Sequence, residues 1–111
     1  MALAIDVTKT EDYVTMTLSG DVDTKTAPDL LKELTGLELN ALSQIRMKLA
    51  DVGFMSSAGL RALVFAKQKM PQSSHLYVIG ATDVIKETIT KTGLAQAVVM
   101  VSNEDEIKWN E

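Results

Sequence analysis

Residues 44–70 read QIRMKLADVGFMSSAGLRALVFAKQKM. Apolar residues from Ile45 to Leu49 alternate with polar ones, and this period of two predicts a strand. The strand runs into a tight segment at Asp51–Gly53, after which apolar residues recur at helical spacing and predict a helix that stops before Pro71. A strand that leads directly into a helix is the repeating unit of α/β domains.

Upstream of this unit, residues 3–7 and 13–18 each alternate between apolar and more polar side chains, so we expect two strands joined as a hairpin. Gly20 is expected to end the second strand. Thr26, followed by Ala-Pro, is typical of a helix N-cap and predicts a first helix over residues 27–38. The apolar face of that helix is expected to carry Leu30, Leu31, Leu34 and Leu37.

Downstream of the unit, residues 77–79 form a short apolar run that predicts a largely buried fourth strand. Thr82 or Asp83 is expected to cap a third helix, and Gly93 stands where a left-handed C-terminal cap is expected. Residues 98–101 predict a fifth strand.

The predicted order of elements is β-β-α-β-α-β-α-β, with a further helical turn allowed in the acidic tail that carries Trp109. Because helical crossovers make neighbouring strands parallel, this order predicts an α/β fold with a mixed sheet of about five strands, a hairpin at one side and helices packed on the sheet. The 111 residues are 46% hydrophobic and 23% charged, as is usual for one globular domain, so residues 1–111 are expected to form a single domain.

The composition also bears on the compartment in which the protein works. The sequence contains no cysteine, so disulfides and thiolate metal sites are excluded. No run of about eighteen apolar residues occurs, and the N-terminal residues MALAIDVTKT lack the basic and apolar regions of a signal peptide. We therefore expect a cytoplasmic protein that does not insert into the membrane.

The charge balance argues against a nucleic-acid partner. Fifteen acidic and eleven basic residues give a formal net charge of −4, and the lysines and arginines are scattered along the sequence. The six glycines form neither a G-x-G-x-x-G nor a G-x-x-x-x-G-K motif. Nucleotide binding is therefore not expected, and no cofactor is predicted for this chain.

Two segments are expected to meet at the carboxyl ends of parallel strands, where α/β domains place their functional loops. They are GDVDTKT at residues 20–26 and GFMSSAG at residues 53–59. Ser57, in the first turn of the second helix, would hold a phosphate beside free backbone N–H groups and the positive end of the helix dipole. Phosphorylation of Ser57 is thus one hypothesis, and the simpler alternative is that Ser56 or Ser57 only caps the helix.

Asp21 and Asp23 also admit two interpretations. Aspartates are common in exposed turns and in first helical turns without any function. The alternative is a small acidic rim beside Ser57 that a basic partner, or a magnesium ion held by a partner, would contact.

Catalysis by this chain is not expected. A serine nucleophile needs a base within hydrogen-bond reach, and the single histidine, His75, begins the fourth strand, whereas Ser57 follows the third. If those strands are parallel, the two residues lie at opposite edges of the sheet. The remaining enzymatic alternative, which uses the loop carboxylates, would require a metal or ligand bound at Asp21 and Asp23.

Two stretches together resemble a known family, the STAS domain of bacterial anti-sigma-factor antagonists. LSGDVDTKTAPDL at residues 18–30 is similar to the exit of that family's second strand, and DVGFMSSAGLRAL at residues 51–63 is similar to its phosphorylation motif. By position, the family's phosphoacceptor serine falls on Ser57 and the aspartate of the first loop on Asp23. The sequence departs from the family at Ser56, where many members have aspartate, and Ser56 is therefore an alternative acceptor.

The resemblance implies an anti-sigma-factor antagonist that works by partner switching. In such a cycle the unphosphorylated antagonist binds an anti-sigma factor that is also a serine kinase. Phosphorylation of the antagonist then releases the anti-sigma factor, and a metal-dependent serine phosphatase removes the phosphate from the antagonist. Magnesium and ATP would belong to the kinase. The residues expected to bind the partner are Asp21, Asp23, Thr24, Thr26, Ser56, Ala58, Gly59 and Leu60. The alternative is a STAS subunit of a membrane-transport or signalling assembly that is never phosphorylated.

Overall fold

Strands and helices alternate along the chain in the order that the hydrophobic periodicity predicts. The computed structural model describes residues 3–10, 13–103 and 107. The strands are β1 (Ala4–Lys9), β2 (Val14–Val22), β3 (Gln44–Met55), β4 (His75–Ile79) and β5 (Val99–Val101). The helices are α1 (Ala27–Thr35), α2 (Ser57–Lys69) and α3 (Asp83–Lys91), with short 3-10 turns at Leu39–Ala41 and Leu94–Gln96. The further helical turn and Trp109 lie outside the described residues.

The five strands form one sheet in the spatial order β1-β2-β3-β4-β5. β1 pairs antiparallel with β2, whereas the other three pairs are parallel. The prediction of a mixed sheet with a hairpin at one side is therefore confirmed. Parallel crossovers are right-handed in nearly all proteins, and these three step in the same direction, so the three helices are expected on one face of the sheet.

The hydrophobic core lies between the helices and that face. Leu30 and Leu34 of α1, Leu63 of α2 and Ile85 and Ile89 of α3 are almost completely buried. They pack with inward-facing strand residues, namely Met16, Leu18, Ile45, Met47, Leu49, Leu76 and Val78. Each such side chain contributes about 1.5–3 kcal/mol through removal of apolar surface from water. The alternate residues of β4, Tyr77 and Ile79, point to the opposite face and pack with Ile107.

The first helix is shorter than predicted, and its apolar face is narrower. α1 ends at Thr35, so Leu37 lies beyond the helix, where it still packs against the core. Leu31 was predicted on the buried face but is 37% exposed. Successive residues of an α-helix point about 100° apart around its axis. Leu30 and Leu34, four residues apart, therefore share the buried face, and Leu31 lies outside it.

Two predicted interruptions are wrong, because β2 and β3 both continue through them and the extra residues of two bulges lie in β3. Gly20 does not end β2 but continues it with a φ of 109°, and the tight segment predicted at Asp51–Gly53 belongs to β3. The pairing shifts register between Thr17 and Ser19 and again after Gly20. A bulge inserts an extra residue and bends the strand without ending it. Both strands therefore extend further toward the predicted site.

Candidate functional site

The two segments that were predicted to meet do lie side by side at the carboxyl ends of β2 and β3. Asp21 pairs with Phe54 and Val22 pairs with Met55 across the parallel ladder. The ladder is extended by one more bond, because the backbone N–H of Ser56 donates to the carbonyl oxygen of Val22 at 2.7 Å. The start of α2 is thus fixed by backbone bonds to the end of β2.

The loop before α1 is held by its own side chains. One carboxylate oxygen of Asp23 accepts hydrogen bonds from the backbone N–H groups of Lys25 and Thr26, both at 2.9 Å. The Thr26 hydroxyl donates to the carbonyl oxygen of Asp21 at 2.8 Å and accepts from the N–H of Asp23 at 2.9 Å. Thr26 therefore stands at the N-cap position of α1 without making a side-chain cap bond, since its hydroxyl faces back into the loop.

These hydrogen bonds also set the charge of the loop. The N–H of Thr26 is the largest cause that lowers the pKa of Asp23; partial burial opposes it, while the N–H of Lys25, the Thr26 hydroxyl and the charge of Lys25 act with it. Hydrogen bonds to a carboxylate favour its ionised form. Asp23 therefore carries a negative charge next to the start of α2 over the whole physiological pH range.

The structure separates the roles of the two serines. Ser56 is the N-cap of α2, and its hydroxyl oxygen accepts from the N–H of Gly59 at 3.3 Å. Ser57 is the first residue of the helix and is exposed to solvent. The capping interpretation thus explains Ser56, and the Ser57 hydroxyl is not the one that caps the helix.

We expect Ser56→Ala and Ser57→Ala to differ in stability although both remove one hydroxyl group. Loss of the cap bond in Ser56→Ala should cost about 1 kcal/mol of unfolding free energy, within a usual range of about 0.5–2 kcal/mol. Ser57→Ala should be close to neutral, because alanine is favourable in a helix. Urea unfolding of both variants measures this difference, and equal losses would contradict the assignment of the cap to Ser56.

Gly59 is required by packing. A Cβ atom at this position would lie 2.6 Å from Cγ1 of Val22 and 2.9 Å from Cγ of Met55. Real Cβ atoms do not approach other atoms so closely, so only glycine allows α2 to start against the end of β2. Gly59 is itself buried, as are Leu60 and Thr26.

Burial divides the predicted partner-binding residues into two groups. Asp21 and Thr24 are exposed, and Asp23, Ser56 and Ala58 are half-buried, so their side chains reach the surface. The other three residues are buried and support the site from below the surface, namely Thr26, Gly59 and Leu60. The assignment of these eight residues to partner binding stays a prediction.

A surface that sequence reasoning missed flanks α2 on both sides. A groove of about 330 Å³ is lined by Ser57, Leu60, Arg61, Val64, Phe65, Gln68, Thr92 and Leu94. A second groove, about 370 Å³, lies between α1 and α2 and shares Arg61 and Phe65 with the first. Leu31, which was assigned to the core, lines this second groove. The signal in the sequence that could have indicated this second groove is Leu31, because it lies outside the buried face of α1.

The structure also bears on a catalytic role for Ser57 and His75. His75 pairs with Gln44 at the start of β3 and β4, whereas Ser57 lies two residues beyond the end of β3. The twelve residues of β3 separate the two groups by roughly 30 Å or more, so they form no dyad. In the part of the chain that the structure describes, no three His, Asp or Glu side chains are placed to hold a metal ion. Nor does any described helix have the length and apolar character needed to cross a bilayer.

Comparison with known proteins places this arrangement in a family. The profile of the STAS domain matches residues 4–107, which include every described element of the sheet and all three helices. The chain belongs to the STAS domain family. This STAS domain is 30% identical, over 95 residues, to the anti-sigma-B factor antagonist of Staphylococcus aureus strain NCTC 8325, with 85% of this chain and 88% of the relative covered.

Solved structures share the fold of this STAS domain. An anti-sigma factor antagonist from Mycobacterium paratuberculosis superposes with a TM-score of 0.84 at 21% identity, covering 95% of this chain and 90% of the other. The Bacillus cell fate determinant SpoIIAA in its phosphorylated form gives a TM-score of 0.71 at 14% identity, covering 92% and 95%. The predicted α/β domain with a mixed five-stranded sheet is therefore confirmed by both comparisons.

Proposed function

We propose that this STAS domain is an anti-sigma-factor antagonist that binds an anti-sigma factor at the carboxyl ends of β2 and β3 and is released by phosphorylation of Ser57. The observation that carries the proposal is the position of Ser57. It is the exposed first residue of α2, and its hydroxyl is not needed as a cap because Ser56 supplies that bond. The names of the relatives support the class of partner.

The start of α2 suits a phosphate without disturbing the fold. A helix N-terminus presents unpaired backbone N–H groups and stabilises a negative charge by about 0.3–1 kcal/mol at an exposed site. No acidic residue occupies the first turn of α2, so nothing in that turn repels the phosphate. SpoIIAA, which shares the fold, has been solved in its phosphorylated form.

The phosphate would instead change what the surface can bind. A phosphoserine carries about −1.5 to −2 charges at pH 7, and here it would join the Asp21 and Asp23 carboxylates at one rim. A partner that covers Ser57 would have to desolvate that charge, which costs several kcal/mol. Binding is therefore lost while the domain stays folded.

The chemistry of the switch belongs to the partners. A kinase that is itself the anti-sigma factor would supply Mg-ATP: the Ser57 hydroxyl oxygen forms a bond to the γ-phosphorus, the bond to the β,γ-bridging oxygen breaks, and ADP and the serine proton leave. A metal-dependent serine phosphatase would hydrolyse the ester to serine and inorganic phosphate. This chain then acts as the substrate in both steps, and as an enzyme in neither.

Phosphosite mapping tests the proposal. Wild-type protein is incubated with MgATP and a purified anti-sigma-factor kinase from the same organism, and the modified residue is located by mass spectrometry. We expect one phosphate on Ser57, which is absent from Ser57→Ala and retained in Ser56→Ala. A phosphate retained in Ser57→Ala and lost from Ser56→Ala would move the acceptor to Ser56, and no phosphate on either serine would favour a binding subunit that is not phosphorylated.

A further inference from the structure

Arg61 lies one helical turn after Ser57 on the same side of α2. The two residues are four positions apart, a spacing that brings Cβ atoms on a helix to about 5–6 Å from each other. Both line the groove that runs along α2 toward Thr92 and Leu94. Arg61 is exposed, so its guanidinium group can turn toward the start of the helix.

The charge of Arg61 is not matched by an acidic neighbour in the described ranges 3–10, 13–103 and 107, where no ion pair involves it. The first turn of α2 offers no acidic side chain. In the adjacent loop, the carboxylate of Asp23 already accepts hydrogen bonds from Lys25 and Thr26. Arg61 is thus a cation with no ion-pair partner among the residues that the structure describes.

The surroundings of Arg61 strengthen any pair that it makes. The groove on one side is lined by Leu60, Val64 and Leu94, and Phe65 lines the grooves on both sides. Apolar walls reduce the local dielectric constant and hence increase the attraction between opposite charges. An acidic group that precedes a basic one by four residues is also the favourable orientation on a helix.

We infer that Arg61 binds the phosphate on Ser57. Guanidinium groups donate paired, charge-assisted hydrogen bonds to phosphate oxygens, and a phosphoserine one turn earlier places those oxygens within reach. This inference rests on the proposed phosphorylation of Ser57. It adds a second effect to the switch, because the phosphate would withdraw the Arg61 cation from the surface offered to the partner as well as adding negative charge to it.

The test measures the phosphate itself and needs no kinase. Phosphoserine is incorporated at position 57 of the full chain during translation, and its second pKa is followed by phosphorus NMR as the pH is varied. A phosphoserine with no pairing cation has a second pKa of about 6. We expect Arg61→Gln to raise that pKa by about 0.3–1 unit relative to the parent, because loss of the cation disfavours the dianion.

A matched control removes another cation from the same helix. Lys69 lies in the last turn of α2, three turns from Ser57, so Lys69→Gln should leave the phosphoserine pKa at the parent value. Equal pKa values in the parent and Arg61→Gln, with both proteins folded by circular dichroism, would overturn the inference. Because the phosphate is installed without a kinase, this result is independent of whether a kinase modifies Ser57, which the phosphosite mapping decides.

Discussion

Ser57→Asp is expected to bind the anti-sigma factor about 10–100-fold more weakly than the parent, whereas Ser57→Ala should bind with nearly parental affinity. The aspartate places a fixed negative charge where a partner must cover the surface, and each 1.4 kcal/mol of desolvation or repulsion is worth a factor of about ten in Kd. The fold should be preserved, because the first turn of a helix favours an acidic residue. Isothermal titration calorimetry with the purified anti-sigma factor measures the effect.

Gln68→Asp provides the matched control for charge. Gln68 is exposed on α2 and lines the same groove, but it lies three turns from Ser57. This variant adds the same charge to the same helix, so a specific switch predicts that it binds much better than Ser57→Asp. If Ser57→Asp and Ser57→Ala bind equally well, the switch is wrong and the domain is a binding subunit that does not respond to phosphorylation.

The second large effect is expected at Gly59. Gly59→Ala should lower the free energy of unfolding by about 1–3 kcal/mol through overpacking, although alanine is the better helix former. The added methyl group would meet Val22 at 2.6 Å, and Val22 is completely buried and has a stiff, branched side chain. Relief therefore requires α2 to move away from β2, which would also displace Ser57. Urea unfolding and the rate of phosphorylation should both report the change.

Two further variants distinguish the steric clash at position 59 from a general effect of replacing glycine. Gly36, at the end of α1, has ordinary helical backbone angles, and its nearest neighbours would lie 3.5 Å from an added Cβ. Gly36→Ala should therefore be neutral or slightly stabilising, by up to about 1 kcal/mol. Val22→Ala combined with Gly59→Ala should cost less than the sum of the two single changes, since it removes the clashing methyl groups. Additive losses would contradict the proposed contact.

Much of the fold was predictable, because its strands and helices show regular hydrophobic periodicity and common capping residues mark the ends of its helices. Thr82 does cap α3, with its hydroxyl oxygen accepting from the N–H of Ile85 at 3.4 Å, and Gly93 does adopt a left-handed conformation with a φ of 80°. The ends of β2 and β3 were not predictable in this way. A period of two cannot show that β3 continues through Gly53 as a bulge, because the extra residue breaks that period. Nor can it show that β2 continues through Gly20 to Val22.

The site was predictable in location but not in its division of roles. Chain order and the carboxyl-end rule placed Ser57 beside the Asp21 to Thr26 loop, and the structure brings these segments together. Which serine caps α2 depends on one hydrogen bond to Gly59. The importance of Arg61 depends on grooves formed between separate helices, which no pattern within a single helix describes.

The paired bulges have a consequence for how this chain can change over evolution. Between the point where Thr17 faces Lys48 and the point where Val22 faces Met55, β3 contains two more residues than β2. Each extra residue reverses which face of the strand the following side chains occupy, and two reversals restore the original facing. Loss of a single codon from this stretch would present the opposite face of the strand to the core and rotate the start of α2. Such a deletion would disturb both the core and the position of Ser57, whereas a substitution on the exposed side of α2 leaves the register of β3 unchanged.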